Sequence, residues 1–117
     1  DVVDTSSTLE DLSRKHLGIA RDDAHGRSAD ILVHDGPLRQ TLMAMIAGTE
    51  LGEHNSPPAA SMLVLSGRVK VTADEGEVVL NVGELRGLTH HRHSVTAIED
   101  SVFILTTVTG YGEPSRR

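Results

Sequence analysis

Three histidines crowd one short stretch of this chain, where His90, His91 and His93 surround Arg92, in a sequence of 117 residues with seven histidines and no cysteine. In an extended strand, residues two apart project to the same face. The spacing therefore sets His91 and His93 together on one side and His90 on the other. Neutral imidazole is a good ligand for first-row transition ions. Without thiolates, any metal site here must use His or oxygen ligands. Two imidazoles do not complete a site, so a third donor has to come from elsewhere in the chain. The alternative is a solvated rim of histidines that titrates near neutral pH and holds nothing.

Other reactive side chains offer less. Glu53 alternates with His54, which puts its carboxylate on the opposite strand face and makes it a surface group rather than a general base. Arg39 and Arg86 are chemically suited to an anion, but isolated arginines more often form surface ion pairs. Met43, Met45 and Met62 are spaced as core filler, the usual role of a flexible thioether. Ser56 and Ser61 have no Ser-His-Asp pattern around them. His16, His25 and His34 are expected at the surface or at an interface.

These residues must be positioned by a mostly β chain. Ser7 followed by Glu10 makes a capping-box pattern, and Leu9, Leu12, His16 and Ile19 repeat at near-helical spacing, which predicts a helix over 7–21. Gly26 ends the polar stretch that follows. From there, short strands separated by turn chemistry are predicted near 28–34, 38–47, 50–54, 60–66, 68–73, 77–82, 84–88, 93–98 and 101–108. Asp35-Gly36-Pro37, Asp74-Glu75-Gly76, Val82-Gly83 and Glu99-Asp100 are the turn signals. In Val69–Val71 and Val95–Ala97, apolar and polar residues alternate, as they do when one strand face lines a core. Gly110 to Arg117 carry no pattern and read as a flexible tail.

Composition excludes several roles. The net charge of −6, with 11 scattered Lys and Arg, argues against nucleic acid, which demands a clustered basic surface. Phe103 and Tyr111 are the only aromatics, so stacking platforms for bases or flavins are nearly absent. No apolar run approaches the roughly 18 residues of a membrane span, and no signal-peptide pattern is visible. The lack of cysteine fits a reducing compartment, and the expectation is a cytoplasmic protein with neither nucleic-acid nor membrane partners.

The segments Leu38-Arg39-Gln40, Glu53-His54-Asn55 and Arg92-His93-Ser94 carry a resemblance. Together with Gly48, Gly67 and Gly83, they make the stretch from Gly48 to Leu105 resemble the small single-domain cupins of the conserved-barrel (cupin-2-like) kind. Two family ligands are replaced, because Ser56 stands where a second motif histidine would be and the glutamate position falls near Ala60 or Ser61. Thr89 takes the place of a proline, His93 arrives one residue early, and Ala97 replaces a terminal asparagine.

The resemblance implies an all-β double-stranded β-helix (a cupin or jelly-roll barrel) with a short N-terminal helix. Residues 1–27 would form the helical extension, 28–109 the barrel and 110–117 the tail. It also implies that His54 lies beside His91 and His93, so that the three hold a divalent transition metal (Zn, Fe, Mn, Ni or Cu) with positions open to a small polar ligand. The missing ligands equally suit a non-enzymatic ligand-binding or regulatory module without stoichiometric metal. Catalytic residues and reaction type stay open, since one fold serves many chemistries. A homodimer is expected, with the strand at 28–34 covering or exchanging a sheet edge.

Overall fold

The computed structural model describes residues 8–52, 59–88 and 93–109. Helix α1 (Leu9–Asp22) opens the described chain. Its N-cap is Thr8, whose hydroxyl accepts the Asp11 N–H at 3.0 Å, not the Ser7 that the capping pattern suggested. The helix thus starts two residues later than expected. Leu12, His16, Leu17 and Ala20 face the barrel, while Leu9 and Ile19 stay about half exposed.

Among the described residues nine strands follow: β1 (Arg27–Asp35), β2 (Leu38–Met45), β3 (Glu50–Leu51), β4 (Ala59–Ser66), β5 (Arg68–Ala73), β6 (Gly76–Asn81), β7 (Leu85–Leu88), β8 (His93–Ala97) and β9 (Ser101–Val108). They form two antiparallel sheets, in the orders β1-β2-β9-β4-β7 and β3-β8-β5-β6. The sheets pack face to face in the expected jelly-roll arrangement. Met43, Met45, Met62, Val64, Val69, Val71, Val95, Ala97 and Phe103 form the buried layer between them. The three methionines are core filler, as expected of flexible thioethers.

The five-stranded sheet is also buried on its other face. Leu42, Ala44, Val102 and Ile104 point outward from it and pack under α1 together with Ala20. Strands buried on both faces lose the apolar–polar alternation and read as continuous apolar runs, as in Val102-Phe103-Ile104-Leu105.

His16 departs from the expected surface position. Only 6% of it is exposed, because Leu12, His16 and Ala20 follow one another at helical spacing on the face that meets the sheet. Its ring is held at both ends, by Ser28 Oγ at 2.7 Å from Nδ1 and Asp30 Oδ2 at 3.2 Å from Nε2. A carboxylate accepts, so Nε2 donates to Asp30, while the Ser28 hydroxyl can either donate to Nδ1 or accept from it. The pair fastens α1 to β1. His25 and His34 are exposed as expected. No described helix is long and apolar enough to cross a membrane.

Candidate functional site

The sandwich has two unlike ends. At one end β2 finishes, β4 turns into β5, and β8 turns into β9. Gly67, in the left-handed region at φ 80°, makes the β4–β5 turn so close that a Cβ there would overlap the Asp100 carbonyl and Ser101 Oγ. Ser101 is fully buried. Its hydroxyl accepts the Arg68 N–H at 2.9 Å and sits 3.0 and 2.7 Å from the Arg68 and Glu99 carbonyl oxygens. Asp100 accepts the Ala47 N–H at 2.9 Å and a bond from Arg21 at 3.2 Å. At this end the Ser101 hydroxyl and the Asp100 carboxylate are spent on the fold's own backbone and on Arg21, while the buried Ser66 hydroxyl has no partner among the described residues.

The candidate site lies at the other end. His93 pairs with Ala73 of β5, two residues from the Val95–Val71 pair and four from Ala97–Val69. Those four apolar residues are buried in the core, and side chains two apart share a face. His93 therefore belongs to the inner row, where the spacing of the histidine cluster predicts it, and it lines a cavity of about 160 Å³ at the barrel mouth.

The opposite wall comes from β7. Leu88 lies across from Ala60 and Arg86 across from Met62. Directly opposed residues share a sheet face, and Met62 is in the core. Arg86 is thus on the inner row too, although its side chain is exposed because β7 is the last strand of its sheet. The cavity floor is apolar, made by Val71, Ala73, Val78 and Leu88, and Glu75 and Glu77 stand at its rim. Glu77 is turned to Lys70, 3.9 Å away. Among the described residues the Arg86 side chain has no hydrogen bond or ion pair, which corrects the expectation that it is a surface ion-pair residue. Its spacing of two from Leu88 puts the two on one strand face, and the pairing of β7 with β4 makes that face the inner one.

Of the three predicted metal ligands, His93 is placed at the mouth, whereas His54 and His91 lie outside the described residues, as do His90, Glu53 and Ser56. Among the described residues no group of three His, Asp or Glu side chains comes together to hold a metal. Ala60, near the position of the family's glutamate, faces Leu88 and Thr107 and offers no donor. At this position β4 therefore supplies no carboxylate. Gly48 and Gly83, like Gly67, have positive φ, so the matching motif glycines stand where the backbone needs them.

No family model and no curated protein matches the chain. Solved structures do. A conserved protein of unknown function from Streptococcus pyogenes superposes with a TM-score of 0.68 at 24% identity, over 77% of this chain and 80% of that one. The cupin domain of Cnp3 from Schizosaccharomyces pombe gives 0.68 at 21% identity, over 78% and 70% of the two chains. A cupin superfamily protein from Desulfitobacterium hafniense gives 0.67 at 15% identity, over 71% and 77%. At these identities the likeness establishes a fold.

Proposed function

We propose that this chain, a small cupin barrel by its fold, is a binding domain that takes a small polar ligand at the barrel mouth beside a divalent transition ion held by His93 with His54 and His91. The observation that carries the reading is His93, an imidazole on the inner row at the edge of a cavity with an apolar floor. Three imidazoles suit Zn, Fe, Mn, Ni or Cu and leave coordination positions free. An ion so held supplies Lewis acidity toward an oxygen of the ligand. The chain's own part is to orient that ligand, with the walls of Val71, Val78 and Leu88 excluding water from one side and Arg86 offering charge on the other.

Elemental analysis of protein purified without a His tag tests the reading. Near-stoichiometric metal is expected in the parent chain and a marked loss of it in His93→Ala. An ion at a hundred times its dissociation constant stabilises the native state by about 2.7 kcal/mol, which in a domain of this size raises Tm by roughly 10 °C. Metal-free protein that no added ion stabilises would remove the metal from the proposal. A ligand-binding or regulatory module without stoichiometric metal would then stand, a reading that Ala60 in place of a carboxylate favours.

We also propose a homodimer through β1. This strand has β2 on one side and is the last of its sheet among the described residues, and Ile31 and Val33 on it are 56% and 36% exposed. Two such edges running antiparallel about Ile31 would set Arg27 of one protomer opposite Asp35 of its partner, a favourable cross-strand pairing. Light scattering on the eluting protein should give twice the chain mass, reduced to one by Ile31→Lys. A parent chain that elutes as a monomer at micromolar concentration overturns the dimer.

A further inference from the structure

We infer that the mouth cavity selects a small monocarboxylate with a short apolar tail, and that Arg86 is the residue that takes the carboxyl group. The inference deepens the small-ligand reading above and is independent of the metal.

The first observation is the state of Arg86. Arg14, Arg21 and Arg68 are ion-paired and Arg27 donates to the Glu50 carbonyl. Arg86 has no partner among the described residues, yet its register opposite Met62 puts it on the inner row beside the cavity. A guanidinium is a planar fork of donors matched to the two oxygens of a carboxylate, and such charge-assisted pairs are stronger and more directional than neutral hydrogen bonds. An unspent fork at a cavity rim is a recognition element for that group.

The remaining walls define the rest of the ligand. Val71, Ala73, Val78 and Leu88 offer nothing to hydrogen-bond, so what lies against them must be hydrocarbon. The cavity, about 160 Å³, holds about five waters at ~30 Å³ each, so the part of a ligand that it takes in is about half a dozen non-hydrogen atoms. Glu75, at the rim, repels a second negative charge and disfavours dianions such as phosphate. A four-carbon monocarboxylate meets all three conditions.

The test is a chemical-shift titration of the full chain, isotope-labelled and kept in EDTA at constant ionic strength, with sodium butyrate. The controls are butyramide, which has the same shape without the charge, and inorganic phosphate. Saturable shifts confined to residues of β5, β6, β7 and β8 are expected, with a dissociation constant on the order of millimolar for so small a ligand. Butyramide and phosphate should bind at least ~tenfold more weakly, and Arg86→Ala should weaken butyrate by ~tenfold or more. Arg86→Lys, which keeps the charge and loses the fork, should fall between. Arg39→Ala removes an equal charge from another residue without a partner among those described, one that does not line the cavity, and should leave binding unchanged. Arg86 is exposed on an end strand, so its variants should fold, and an unshifted Tm verifies this.

Equal binding of butyramide, stronger binding of phosphate, loss of butyrate binding in Arg39→Ala to the same degree as in Arg86→Ala, or no saturable shift at all would each overturn the inference. Because the titration is run without metal, its failure leaves the metal reading intact. Failure of metal to stabilise the parent chain leaves the carboxylate site intact in turn.

Discussion

The two ends of the sandwich are made from the same strands and differ in how their polar groups are satisfied. At the closed end the Ser101 hydroxyl bonds the backbone of Arg68 and Glu99, the Asp100 carboxylate accepts the Ala47 N–H, and the Gly48 N–H donates to the Ala97 carbonyl, all at 2.7–3.0 Å. At the open end His93 and Arg86 line a cavity, and the arginine has no partner among the described residues. Polar groups that bond internally stabilise the fold, because an unmet buried donor or acceptor costs more than a made bond gains. A guanidinium left unpaired at a cavity, as that of Arg86 is among the described residues, contributes little to stability and stays available for a ligand.

The comparison makes predictions that differ in size. The largest effect is expected at the closed end, where Ser101→Ala leaves the Arg68 N–H and the Glu99 carbonyl without the buried hydroxyl. Denaturant unfolding should show a loss of about 1–3 kcal/mol. If Ser101→Ala unfolds at the parent midpoint, the closed end is not the structural half.

At the mouth the opposite is expected, since Arg86→Ala should stay within about 0.5 kcal/mol of the parent chain while losing carboxylate binding. A stability loss as large as that of Ser101→Ala would make Arg86 a structural residue and erase the distinction between the ends.

The smallest effect concerns the turn that leads from α1 into β1. Backbone N–H groups of Arg27 and His25 donate to the exposed Asp23 carboxylate and hold its pKa below the ordinary 3.8. A depressed folded-state pKa contributes stability above the unfolded value, and that contribution disappears as the pH falls through the folded value. The gap in Tm between the parent chain and Asp23→Ala should therefore be constant above about pH 5 and close below pH 4. A gap that persists unchanged in acid would assign the effect to the turn's shape rather than to its charge.

Much of the fold is legible in the order of residues. Arg68–Ala73 and Ser101–Val108 begin and end where alternation and turn chemistry place them. The other strands move by a few residues at most within the described segments, for instance β2, which stops at Met45 rather than at 47. Ile46 and Ala47 leave the ladder there to bond Gly26 and Asp100, partners far away in sequence. Of the site, the inward direction of His93 follows from strand parity alone.

The rest needed the third dimension. Parity says that Arg86 and Leu88 share a face, but only the pairing of β7 with β4 shows that this face is the inner one and that it ends at a cavity. Likewise the repeat of Leu12, His16 and Ala20 marks a helix face, but only the docking of α1 onto β1 and β2 buries His16 between Ser28 and Asp30. Local periodicity and turn chemistry are short-range properties of the chain, so the sequence by itself determined the strands, the helix and the side of the strand on which a histidine stands. Which strands neighbour one another, and hence which charge is left unpaired at the mouth, depends on contacts between residues distant in sequence, and only the tertiary structure decided it.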